Sequence, residues 1–158
     1  MASQNPLDLL SSGKIHWEKW RQAYADIQAL EPDLHKAQLS GVDLREFDLH
    51  KADLTEANLQ EANLQEADLR EADLRHADLR NAHLSDANLQ KANLHGADLR
   101  GATLCRANLK GADLSNADLR GADLQGALLG KTKFEGTNMS GGDLNKAHGE
   151  GVHREIQV

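Results

Sequence analysis

From Leu34 to Leu144 a large apolar residue returns every five positions without a slip: leucine up to Leu129, then Phe134, Met139 and Leu144. The run holds 23 such units. Two positions before the apolar residue sits a small one, alanine throughout from Ala52 to Ala127, with Thr132, Thr137 and Gly142 towards the end. Between them stands a short polar residue, usually Asp or Asn, as in Ala57-Asn58-Leu59-Gln60-Glu61. A period of five suits neither regular structure. On a helix each step of five turns about 500°, so the leucines spiral round the axis and form no stripe. Along one strand each step of five reverses the face, leaving half of them in water. A bend in every repeat resolves the conflict, making each five-residue segment one short side of a coil with its leucine pointing to a common axis. Coils stacked in this way form a solenoid with a continuous core.

Before the repeats, Pro6 to Leu10 suits one helical turn with proline early in it, and Ser11-Ser12-Gly13 breaks that turn. From Lys14 to Leu30 the apolar residues Trp17, Trp20, Tyr24 and Ile27 recur at spacings of three and four, which predicts an amphipathic helix. Both tryptophans and the only tyrosine fall there. Such a helix suits a cap, because a solenoid end exposes apolar side chains and unpaired strand edges. Glu31-Pro32-Asp33 ends it. Pro32, Val42 and Phe47 hold the small position in early repeats, and their bulk is expected to fill space beneath the cap.

The unit of a small residue, Asp or Asn, Leu or Phe, and two variable positions resembles the motif of the pentapeptide-repeat family across roughly two thirds of the chain. Trp17-Glu18-Lys19-Trp20-Arg21 resembles the Trp-x-x-Trp-Arg helix that precedes the repeats in many bacterial, often cyanobacterial, members. The resemblance implies an all-β solenoid: a right-handed quadrilateral β-helix with four repeats per coil, hence about six coils behind an N-terminal α-helical cap. The corresponding division is a cap over 1–31, the β-helix over 32–147 and a tail over 148–158.

With four repeats per coil, residues twenty apart stack. Arg80, Arg100 and Arg120 then form one column, and Asp78, Asp98 and Asp118 a neighbouring column on the same face. One reading is a solvated ladder in which carboxylates relieve repulsion between arginines; the other is a protein-docking stripe. Glu56, Glu61, Glu66 and Glu71 ring a single coil, one per face, and so cannot converge on a metal or act as an acid–base pair. Glycine at the last position of many later repeats, such as Gly101 and Gly121, suits a turn with positive φ and suggests that the corners change along the shaft. The Asp or Asn before each leucine is placed to bond nearby backbone.

Composition narrows the chemistry. The net charge of -7 argues against general nucleic-acid binding through phosphates, and the repeats carry 19 acidic against 14 basic residues. No apolar run is long enough for a membrane, and a cytoplasmic protein is expected. Cys105 is alone, which excludes an intrachain disulfide; it is expected to be exposed with Arg106 beside it and no histidine in reach as a base. Of the histidines only His76 and His95 are expected as neighbours, too few for zinc. No cofactor motif is present. The expectation is therefore a non-catalytic scaffold without a cofactor, binding another protein and neither nucleic acid nor membrane, with the C-terminal coil as a homodimer surface. Resemblance supplies an alternative: some family members mimic duplex DNA in shape and charge and bind type II topoisomerases. That role needs a strongly acidic face, whereas here arginines interleave with the acids.

Overall fold

The computed structural model describes residues 5–23 and 31–149. Two helices open the chain, α1 (Pro6–Ser11) and α2 (Lys14–Ala23). Asn5 caps α1, its side chain accepting from the Leu7 N–H, and Pro6 sits where a helix has no use for an amide donor. Gly13, at φ 96, makes the break between the helices. The expected continuation of α2 through Tyr24 and Ile27 to Leu30 lies outside the described residues.

Beyond Glu31 every β-contact is a single-residue parallel bridge to the residue twenty positions on, from Asp33 with Asp53 to Leu128 with His148. Four five-residue sides therefore complete each turn. The sides are too short for continuous strands, because two of every five residues are spent on the corner.

One repeat accounts for the sequence motif. In 52–56 the Ala52 N–H closes the preceding turn on Leu49 O at 3.1 Å, and Asp53 N–H reaches back one coil to Pro32 O at 2.9 Å. Leu54 and Glu56 donate forward one coil, to Asp73 O at 2.8 Å and Arg75 O at 3.0 Å. The Thr55 N–H is left without a backbone acceptor, and the Asp53 carboxylate takes it at 3.0 Å. Each repeat with Asp or Asn before its leucine makes this bond, as Asn88 does to Gln90 and Asp118 to Arg120. The short polar residue is thus retained to satisfy the one donor that the coil leaves over.

The corners are uniform, contrary to the change expected from the glycines. The last residue of every repeat is left-handed, at φ 55–61 in residues such as Glu56, Lys91 and Lys131 and at φ 66–71 in glycines such as Gly121. From Lys36 to Gly126 each corner N–H is bonded to the next coil, which offsets the left-handed cost of about 1–2 kcal/mol in the non-glycine residues. Glycine here relieves strain without altering the path.

Leucine and alanine from opposing sides fill the interior, and Leu44 to Leu99 are almost wholly shielded. At about 2 kcal/mol per buried leucine, this axis is the main source of stability. Late in the shaft Thr132 and Thr137 replace alanine without leaving an unpaired hydroxyl, since they donate to Leu109 O and Leu114 O at 2.8 and 2.7 Å.

Helix α2 lies against the early coils. Trp17 is fully buried, with its ring 5.2 Å from Trp20 and 6.5 Å from Phe47. Pro32 and Phe47 are buried as expected, while Val42 is only half-buried. Lys14 reaches Glu46 at 2.6 Å, and Arg21 bridges both Asp48 oxygens at 3.3 Å.

Candidate functional site

The outward residues carry whatever the molecule does, since the axis is filled by leucine and alanine. On one face Arg80, Arg100 and Arg120 stack as expected, each closed on the aspartate two residues earlier. Arg80 donates Nε and Nη2 to Asp78 at 2.8 and 2.6 Å, Arg100 does the same to Asp98, and Arg120 holds Asp118 at 2.9 and 2.6 Å. Contact continues between coils, with Arg80 Nε 3.8 Å from Asp98 and Arg100 Nε 3.8 Å from Asp118. The guanidinium hydrogen bonds hold Asp98 and Asp118 below the usual carboxylate range, against a smaller opposing effect of burial. The six residues therefore form one neutral zipper of alternating charge.

The same short rule governs every arginine that directly follows a repeat leucine. Arg45, Arg70 and Arg75 likewise grip Asp43, Asp68 and Asp73 at 2.6 Å. Arg45 holds Asp43 down at about 2.

Elsewhere the structure separates the chemically capable groups. Cys105 is half-buried and not exposed as expected, because the next coil lies over it; burial first, then its hydrogen bond to Asp123, push the thiol up. Arg106 beside it is engaged by Asp86 at 2.8 and 2.5 Å, and its charge lowers the thiol less than burial and Asp123 raise it. The thiol thus lacks the activating surroundings of a nucleophile. His76 and His95 meet edge to face at 5.9 Å between ring centres, as expected from their diagonal placement. His50 joins the Arg21 and Asp48 cluster beneath α2. Glu56, Glu61, Glu66 and Glu71 are all exposed at successive corners. Among the described residues no group of three or more His, Cys, Asp or Glu could hold a metal ion. Among them, too, no helix is long and apolar enough to cross a membrane.

One feature was missed from sequence. A groove of about 610 Å³ runs along another edge of the shaft, lined by Arg70, Lys91, Lys110 and Lys131 with Gly111 and Gly130 between them. The signal was present: Asn108-Leu109-Lys110 puts a cation after the leucine without the aspartate that accompanies each arginine.

Parallel bridging at a strict interval of twenty, on a five-residue unit with an inward leucine, now meets an independent match. The model of the family described as pentapeptide repeats fits residues 33–70, 67–105 and 104–141. The chain belongs to the pentapeptide-repeat family. Members fold as right-handed quadrilateral β-helices, in agreement with the four-sided coils. No protein of curated function matches the chain.

Among solved structures the chain is similar to HetL, a pentapeptide-repeat protein involved in heterocyst differentiation regulation from the cyanobacterium Nostoc sp. Strain PCC 7120. The two are 32% identical over 76% of this chain and 73% of that one, with a TM-score of 0.44. A pentapeptide-repeat protein from the cyanobacterium Cyanothece 51142 is 39% identical over 60% of each chain, with a TM-score of 0.35. Another, from the Arabidopsis thaliana thylakoid lumen, is 36% identical over 54% of this chain and 63% of that chain, again with a TM-score of 0.35.

Proposed function

We propose that this pentapeptide-repeat protein is a non-catalytic scaffold that binds another protein through its outer faces. In this reading residues 1–31 close one end, 32–147 form a shaft of about six coils, and 148–158 follow as a tail. The C-terminal coil serves as a homodimer surface. The face bearing Arg80, Arg100, Arg120, Asp78, Asp98 and Asp118 serves as the docking stripe.

The observation that carries the reading is the zipper. Its side chains are held by one another on a rigid backbone, so a partner would find them already ordered and little entropy would be lost on docking. Because the stripe is neutral, recognition there rests on the alternation of charge and not on a net field. The same alternation speaks against DNA mimicry, which needs a continuous negative side. Here Arg75, Arg80, Arg106 and Lys110 put cations on successive sides of the shaft.

The test is an affinity capture from the native host's lysate with wild type beside R80A/R100A/R120A, read by mass spectrometry. One protein captured by wild type and lost with the triple variant supports the stripe. Capture of a type II topoisomerase by both overturns it in favour of the DNA-mimic role. Capture of nothing by either overturns the docking reading.

A further inference from the structure

The groove is built by omission. In the corner column Lys91 and Lys131 are two coils apart, and the residue between them is Gly111; in the adjoining column Gly130 follows Lys110. A Cβ placed on Gly111 would lie 3.5 Å from the Lys91 side chain, and one on Gly130 3.8 Å from that of Lys110. The two glycines thus open space beside lysine stems where neighbouring coils carry side chains. Its depth is a sequence choice.

Its charge is also unbalanced. Arg70 is neutralised by Asp68, but among the described residues Lys91, Lys110 and Lys131 form no ion pair, and the groove's one carboxylate is Glu71. For Lys110 the cause lies in the polar column beneath: past Asp68 it continues as Asn88, Asn108 and Leu128, so the aspartate that pairs with each arginine after a leucine is absent. Lys91 and Lys131 stand at corners, where Arg106 pairs with Asp86 one coil away, and the residue between the two lysines is Gly111. Three free ammonium groups on an otherwise acidic molecule mark a place where negative charge is missing.

We infer that this lysine groove binds an extended acidic peptide segment of a partner protein. The length fits. Lys91 and Lys131 are separated by two coil steps, about 10 Å at the backbone, which an extended chain covers in three residues, and Lys110 lies at the intermediate coil. A segment with several carboxylates in a short stretch can meet all three lysines while its backbone runs over the glycine floor. Nucleic acid fits less well, because a long polyanion also meets the surrounding acidic surface, whereas a short segment lies within one screening length of the lysines, about 8 Å at physiological salt. The inference shares with the scaffold reading only the premise of a protein partner, and it concerns a different side of the shaft.

The experiment uses fluorescence anisotropy with a labelled ten-residue peptide of alternating Glu and Gly, titrated with the full chain at low and at physiological salt. The expected result is saturable binding that weakens with salt, falls roughly tenfold or more in K91E/K110E/K131E, falls several-fold in G130Q, and is unchanged in R80A/R100A/R120A. Glu already occupies the corner at Glu71 and Gln the Gly130 column at Gln90, so these variants are expected to fold; thermal melts check this, and K91Q/K110Q/K131Q replaces any that does not. Absence of saturable binding, or equal affinity in wild type and the lysine variant, overturns the inference. Equal or tighter binding of an oligothymidylate of matched charge also overturns it, making the groove a general polyanion surface. Lysate capture that survives R80A/R100A/R120A but is lost in K91E/K110E/K131E would sink the zipper stripe alone, and the reverse pattern would sink the groove alone.

Discussion

The indole N–H of Trp17 donates to the main-chain carbonyl of Asp48 across 2.6 Å, although 31 positions separate the two residues. Trp17 is wholly buried, so this bond and the ring's contact with Phe47 fasten helix α2 to the early coils. Trp17→Phe should lose the bond and cost about 1 kcal/mol, while Trp17→Ala should cost about 3–5 kcal/mol through lost contact and a cavity. Urea unfolding of both variants checks the order. Equal losses would show that the ring contributes nothing beyond the hydrogen bond.

The inward register is tested by Leu84 and Arg80. Leu84 is fully shielded on the axis. Leu84→Lys puts an unpaired charge there and should cost more than about 4 kcal/mol or prevent folding. Arg80→Ala removes an exposed pair and should stay within about 1 kcal/mol. Circular dichroism melts that moved alike for the two would contradict the assignment of faces.

Two glycines should respond oppositely to the same change. Gly121 sits at φ 67 in open space, so Gly121→Ala introduces backbone strain alone, at about 1 kcal/mol. Gly130 does not share the left-handed geometry and has room for a methyl group, so Gly130→Ala should be neutral or stabilise by up to about 1 kcal/mol through the unfolded chain. Differential scanning calorimetry resolves the sign.

The carboxylates make a pH prediction. Hydrogen bonds from Arg45 hold Asp43 at about 2, and those from Arg100 and Arg120 lower Asp98 and Asp118. A carboxylate depressed in the folded state contributes stability that is present above its unfolded value near 4 and is lost as pH falls through the folded value. The melting temperature should therefore decline from about pH 4 down to about pH 2. R45A, R100A and R120A should each flatten that decline slightly, since exposed pairs are screened. A decline as steep in R45A/R100A/R120A as in wild type would remove the arginines from the explanation.

The fold was legible because its period was incompatible with anything else. Leu34 to Leu144 leave no helical or strand reading, and interval-twenty stacking follows once four sides close a coil. The pairing of Arg80 with Asp78 was half legible: the columns could be written down, but whether the guanidinium turned to its own aspartate or outward depended on side-chain geometry. Cys105 and Arg106 misled for the same reason, as adjacency in sequence said nothing about Asp123 and Asp86, each a coil away. The corners differ in the other direction: glycine in the sequence suggests a change of path, whereas the cross-coil hydrogen bond from Lys36 to Gly126 holds glycine and non-glycine residues to one path.

The sequence by itself determined the axis and the coil, since burying a leucine every fifth residue admits one solution. It also placed Asp or Asn before most of the leucines, where a short polar side chain can bond nearby backbone, but which amide it takes came from the structure. Only the tertiary structure decided the surface: which charges neutralise one another, which lysines stand outside the ion pairs of the described residues, and where two glycines open a groove between them. Those outcomes depend on distances across coils, and such distances exist only after the chain has closed on itself.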